Sequence, residues 1–168
     1  MAVSLAELHS TIDSLLRTEQ FKDYAPNGLQ VEGRAEVRKI VTGVTASRGL
    51  IEAAIDAQAD AILVHHGYFW RGEDQAIVGI KKRRIELLLQ HEMSLLAYHL
   101  PLDAHGEFGN NVQLGRRLGL IETGDLGRQN NHPLGLVGRL EVAMSAADFA
   151  ALIGARLGRE PLCIEADD

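Results

Sequence analysis

The sequence predicts an α/β fold, a parallel or mixed sheet covered by helices. Two observations predict it. Between residues 39 and 118, short apolar runs alternate with amphipathic helical stretches, the rhythm of strands joined by helical crossovers. The runs Ala61–Val64 (AILV) and Ser94–Tyr98 (SLLAY) are apolar without alternation, as expected of strands buried on both faces. Right-handed crossovers then bring the three strand ends to one edge of the sheet.

The first element is a helix from Ser4 to about Arg17, with Leu5, Leu8, Ile12, Leu15 and Leu16 on one face. Ser4 and Glu7 have the spacing of a capping box. Tyr24-Ala25-Pro26-Asn27-Gly28 breaks the pattern, because Pro26 stops a helix and Asn-Gly favours a turn. Lys39–Val44 is a β-branched strand, and Ser47 to about Gln58 is a helix with Ser47 at its N-cap. The strand Ala61–Val64, a helix from Ile80 to about His91, the strand Ser94–Tyr98 and a helix Asn110–Leu118 follow. Gly119 fits the C-cap of the last. Glu122–Pro133 is polar and rich in Gly and Asn, so it reads as a loop or linker. Leu134–Val142 suggests a strand, Ser145–Leu157 a helix, and Pro161–Glu165 the start of another strand. The expected organisation is an α/β half over residues 1–125, then a linker and the start of an incomplete second half over 126–168.

The chain has 168 residues, 46% apolar and 24% charged, which is a globular composition. A net charge of −6 gives no general attraction for phosphate backbones or anionic lipids, so neither nucleic acid nor membrane is an expected partner. Cys163 is the one cysteine, which excludes a disulfide framework and a cysteine-based zinc finger. No apolar stretch approaches the roughly 20 residues that span a bilayer, and the N-terminus lacks a leader pattern. A cytoplasmic protein is expected.

Ligands of an open parallel sheet gather beyond the carboxyl ends of its strands. Thr45-Ala46-Ser47, His65-His66-Gly67 and His99 through His105 belong there, with four of the seven histidines and Asp103. At a strand end Gly67 lets the backbone turn, so two adjacent imidazoles could serve neighbouring metals, with Asp103 bridging or ligating through its carboxylate. Imidazole plus carboxylate suits Zn, Fe, Mn, Ni or Co without choosing among them. His99 fits a partner that supports a ligand by hydrogen bonding. The plainer readings stand beside these: a histidine is commonly a surface or satisfied core residue, and Asp103 also fits a turn former or an N-cap. His9, His91 and His132 lie outside this edge and read as solvated or structural. No GxxxxGK[ST] phosphate loop occurs. Ser47 fits a helix cap better than a nucleophile, and Cys163 has no local catalytic signature. Lys81-Lys82-Arg83-Arg84 reads as a solvated face that could also hold an anionic substrate.

Three blocks occur in order: Asn27-Gly28-Leu29-Gln30-Val31-Glu32-Gly33; Val64-His65-His66-Gly67 with Phe69-Trp70; and Ala97-Tyr98-His99-Leu100-Pro101-Leu102-Asp103-Ala104-His105 followed by Gly109-Asn110-Asn111. Together they resemble the GTP cyclohydrolase 1 type 2 family, also described as dinuclear-metal-centre hexamers, over essentially the whole chain. The resemblance implies an α/β fold of two similar, intertwined halves, of which this chain holds the first. It implies a toroidal homohexamer, up to two divalent metal ions per chain, and His65, His66 and Asp103 as metal ligands. It implies a metal-dependent hydrolase acting on a nucleotide or similar heterocycle, with water activated for attack on an electron-poor ring carbon and His99 or His105 moving protons. The alternative it carries is a non-enzymatic oligomeric metal-binding scaffold for a regulatory partner protein. Family members typically carry a late His-x-x-x-Glu motif with further ligands. These 168 residues contain none, as expected either of a truncated chain or fragment that lacks the C-terminal part or of an altered member.

Overall fold

The Ser4–Glu7 pair starts the first helix where its spacing predicts, with the Ser4 hydroxyl accepting the Glu7 N–H at 3.1 Å. A computed structural model describes residues 2–129 and 132–164 of the chain. They fall into two compact units, Met1–Leu102 and Asp103–Asp168.

The first unit runs β1 (Val3–Ser4), α1 (Leu5–Leu16), a 3-10 turn (Thr18–Gln20), β2 (Gly28–Val31), β3 (Glu36–Val37), β4 (Ile40–Thr45), α2 (Arg48–Asp56), β5 (Ala61–His66), α3 (Gly79–Gln90) and β6 (Ser94–Ala97). A short helix, α4 (Leu100–Asp103), follows. Its main sheet has the order β2-β6-β5-β4. Strands β4, β5 and β6 are parallel, and β2 pairs antiparallel with β6, so the sheet is mixed. β1 and β3 form a separate antiparallel pair.

The absence of alternation in the two apolar runs has a direct cause. Ile62 and Val64 of β5 and Leu95 and Ala97 of β6 pack with Ile51 and Ala54 of α2 and Ile85 and Leu88 of α3. The intervening Ala61 and Leu96, with Tyr98, pack with Leu5 and Leu16 of α1. Successive strand residues face opposite sides, and both sides here are covered. Tyr98 OH also donates to Asp13 Oδ1 at 2.9 Å, tying the end of β6 to α1. Burial, and then the Asp13 carboxylate, push its phenol well above the ordinary value.

The second unit contains α5 (Asn110–Leu118), β7 (Ile121–Gln129), β8 (His132–Arg139) and α6 (Ala146–Leu157). Gly119 ends α5 with φ 74°, a left-handed conformation that glycine adopts without strain. Ser145 caps α6. The loop expected over Glu122–Pro133 is a correction. Most of it is β7, paired antiparallel with β8. The residues of β7 are almost all exposed, so neither face had to be apolar, and the Gly-rich polar sequence concealed a strand. The register shifts between Glu122 and Gly124, which accommodates the glycine as a bulge. β8 begins at His132 and ends at Arg139, so Leu140–Val142 are not part of it. The strand expected from Pro161 is also corrected: residues 161–164 are irregular, and Glu165 lies outside the described residues. Among the described residues no helix is long and apolar enough to cross a membrane.

Candidate metal centre

Parallel pairing brings the strand ends together. The register sets Thr45 beside His66 and Val64 beside Ala97, and Tyr98 N donates to Val64 O at 2.9 Å. His65 and His66 are the last two residues of β5, and His99 lies two residues beyond β6. Adjacent side chains diverge inside a regular strand. At this strand end the His65 and His66 ring centroids are only 4.4 Å apart. The His99 ring is 4.9 Å from His65 and 5.6 Å from His66. One ring nitrogen from each of the three lies within 4.8 Å of the others, a group that could hold a metal ion.

The rings are oriented by the protein. His65 Nδ1 faces Tyr98 O at 3.0 Å. A carbonyl only accepts, so Nδ1 carries the hydrogen and the lone pair of the neutral ring is on Nε2. His66 Nδ1 lies 3.2 Å from Thr45 Oγ1, and a hydroxyl serves as donor or acceptor. His99 Nδ1 is 2.8 Å from Asp23 Oδ1. Metal-binding imidazoles characteristically hold one nitrogen on a protein group and present the other, so the donor set fits a divalent ion.

Asp23 is buried, with its side chain 2% exposed. Burial pushes its pKa up, but hydrogen bonds from His99, Asn27, Leu100 and Tyr24 outweigh that and hold the carboxyl below its ordinary value. Asn27 Oδ1 accepts the His99 N–H at 2.7 Å.

Gly67 leaves the room that this corner needs. A Cβ there would fall 2.1 Å from Gln30 Oε1 and 2.6 Å from the Ala97 Cβ. Gln30 Oε1 accepts the Tyr68 N–H at 2.7 Å, and Tyr68 OH donates to Ala46 O at 2.8 Å. Burial pushes the Tyr68 phenol up to about 12, with the charge of Arg84 opposing the rise. Trp70 flanks the imidazoles, with its ring 5.0 Å from His99, edge-on, and 5.9 Å from His66. Its indole N–H donates to Gly67 O at 3.2 Å.

The structure thus brings His65, His66 and His99 together in the first unit, although His99 reads from sequence as a support. Asp103 ends α4 and opens the second unit. Its Oδ1 accepts from Asn110 Nδ2 at 2.9 Å and its carbonyl from Asn111 Nδ2 at 3.1 Å. His105 Nδ1 accepts the N–H groups of Glu107 and Phe108, and its ring stacks on Phe108. Ser47 caps α2 by accepting the Leu50 N–H at 3.2 Å. Lys81 bonds Asp74 O and pairs with Glu73, while Lys82 and Arg83 are exposed. Cys163 is exposed. His9 Nε2 accepts the Leu29 N–H at 3.2 Å. Sequence reasoning missed Asp23 altogether. It sits just before the Pro26 break, where nothing in its spacing marks it.

A family model described as Duf34/NIF3 (NGG1p interacting factor 3) matches residues 3–167. The chain belongs to the Duf34/NIF3 family. It is 53% identical over 166 residues to the GTP cyclohydrolase 1 type 2 homolog of Pseudomonas aeruginosa, covering 99% of this chain and 66% of that protein. A solved structure named protein ybgI, of unknown function, superposes with a TM-score of 0.90 at 47% identity, over 95% of this chain and 63% of that one. TTHA1606 from Thermus thermophilus gives a TM-score of 0.83 at 38% identity, over 95% and 64%. This Duf34/NIF3 chain therefore spans 63–66% of the length of these relatives. The family resemblance and the α/β fold expected from sequence are both shown.

Proposed function

We propose that this chain binds divalent metal through His65, His66 and His99, with Asp103 as a carboxylate ligand, and serves a metal-dependent hydrolase acting on a nucleotide or similar heterocycle. One observation carries the metal part: three imidazoles offer ring nitrogens within 4.8 Å of one another. The substrate class rests on the relative named GTP cyclohydrolase 1 type 2 homolog. Up to two ions per chain and a homohexamer accompany the reading. Bound there, a divalent ion supplies Lewis acidity that activates water for attack near neutral pH.

The chain's own residues prepare the site. Tyr98 O holds His65 as the Nδ1–H tautomer. Thr45 sets the plane of the His66 ring. Trp70 flanks the imidazole group, its ring within 6 Å of those of His66 and His99. Metal analysis and Co²⁺ titration of the protein and of His65→Ala, His66→Ala, His99→Ala and Asp103→Ala test the reading. The expected result is stoichiometric binding that each substitution weakens while the fold survives. Equal binding by all variants would place the metal elsewhere, and no binding by the parent protein would defeat the reading. Release of product from GTP by the metal-loaded protein tests the substrate class.

A further inference from the structure

The Asp23 carboxyl makes four hydrogen-bond contacts: at Oδ1 with Tyr24 N (2.6 Å) and His99 Nδ1 (2.8 Å), and at Oδ2 with Asn27 Nδ2 (2.9 Å) and Leu100 N (2.8 Å). An ionised carboxylate is acceptor-only, with about four lone-pair sites. The two backbone N–H groups and the Asn27 amide each bring a hydrogen, so three of the four sites are filled by obligate donors. Three such donors favour the ionised form of the carboxyl. The carboxylate is therefore an anion, and the fourth site, facing His99, requires Nδ1 to carry hydrogen. The lone pair of neutral His99 is then on Nε2.

One further contact shows that this is a held geometry. Asn27 donates to Asp23 through Nδ2 and accepts the His99 backbone N–H through Oδ1, gripping His99 by its main chain while Asp23 grips its ring. Asp23 is buried, so solvent screens its charge little. A carboxylate behind an imidazole raises the basicity of the far nitrogen and fixes the ring. We infer that Asp23 is the positioning residue of the centre: it sets the His99 tautomer and supplies the buried negative charge that strengthens His99 as a ligand. The inference rests on the metal reading above and identifies a residue outside the predicted ligand set.

Two measurements test it. Histidine ¹⁵N spectra of the unmodified metal-free protein report the tautomer directly, and His99 is expected as Nδ1–H. Observation of the Nε2–H form overturns the inference whatever the metal does. Co²⁺ affinity is then compared for the parent protein, Asp23→Asn, His99→Ala and the double variant. Asp23→Asn is expected to weaken binding by about 10- to 100-fold and to cost nothing further once His99 is gone. Equal losses with and without His99 would mean a merely structural role and would overturn it. If Asp23→Asn does not fold, the tautomer decides. A parent protein that binds no Co²⁺ defeats the metal reading, a result distinct from either outcome for Asp23.

Discussion

Trp70 is the one tryptophan of the chain, and its ring lies within 6 Å of two candidate ligand rings. Its fluorescence should report on the site. Co²⁺ is expected to quench the emission, a chelator to restore it, and His65→Ala to abolish the response. Emission indifferent to saturating Co²⁺ would show that the ion sits elsewhere. Gly67 makes a second prediction at this scale. Ala97 and Gln30 leave no room for a Cβ there, and overpacking of this kind costs about 1–3 kcal/mol. Gly67→Ala should lower the urea midpoint accordingly and weaken Co²⁺ binding, because the residue that must move follows His66 directly. Unchanged stability would mean that the corner yields freely. His65 and His66 were legible in the sequence because they close an apolar run, and a parallel sheet sends such residues to its functional edge. Asp23 was not legible: its partner His99 is 76 residues away, and only the folded sheet brings them together.

Elements were legible where burial dictated composition. The runs of β5 and β6 are covered on both faces, and the ladder bears out their reading as parallel strands. β7 escaped because an exposed strand places no such demand on its sequence, and β2 because it lies beyond the Pro26 break and joins the sheet at β6 by long-range pairing. Asp60 joins the starts of two elements. Its carboxylate accepts the Arg38 and Lys39 N–H groups at 2.8 and 3.0 Å and pairs with Arg34 at 2.9 Å. Burial pushes its pKa up, but these partners, the backbone bonds first, hold it below the ordinary 3.8. A folded-state pKa below the unfolded one gives stability that is present above pH 3.8 and is lost as pH falls through the lower folded value. Asp60→Ala should therefore destabilise at neutral pH by about 1–3 kcal/mol, having stranded two part-buried backbone donors. The difference from the parent should narrow as the pH falls below that range. A gap in melting temperature that stays constant down to acid pH would show that the loss is one of packing.

Assembly is a property of the whole molecule, and the distribution of apolar surface argues for it. β4 is an edge strand of the main sheet and exposes Val44 at 68%. An open edge with an apolar side chain is a template for pairing. The segment leading into α3 exposes Ile77, Val78 and Ile80. In the second unit Leu114, Leu126 and Val137 are exposed, and α5 and the hairpin leave a groove of about 350 Å³ lined by Leu114, Leu118, Leu136 and Val137. Both units thus present apolar groups to water, Leu114 and Val137 sharing one groove, and exposed apolar surface of this kind favours association. Closed symmetry is the usual result for a soluble homo-oligomer, and a hexamer is the expected form. Light scattering coupled to gel filtration should show a mass well above 18.3 kDa that falls on dilution or with mild urea before the helices melt. A sharp 18.3 kDa peak at every concentration, with one cooperative unfolding transition, would overturn the prediction and show that the exposed apolar groups are tolerated singly.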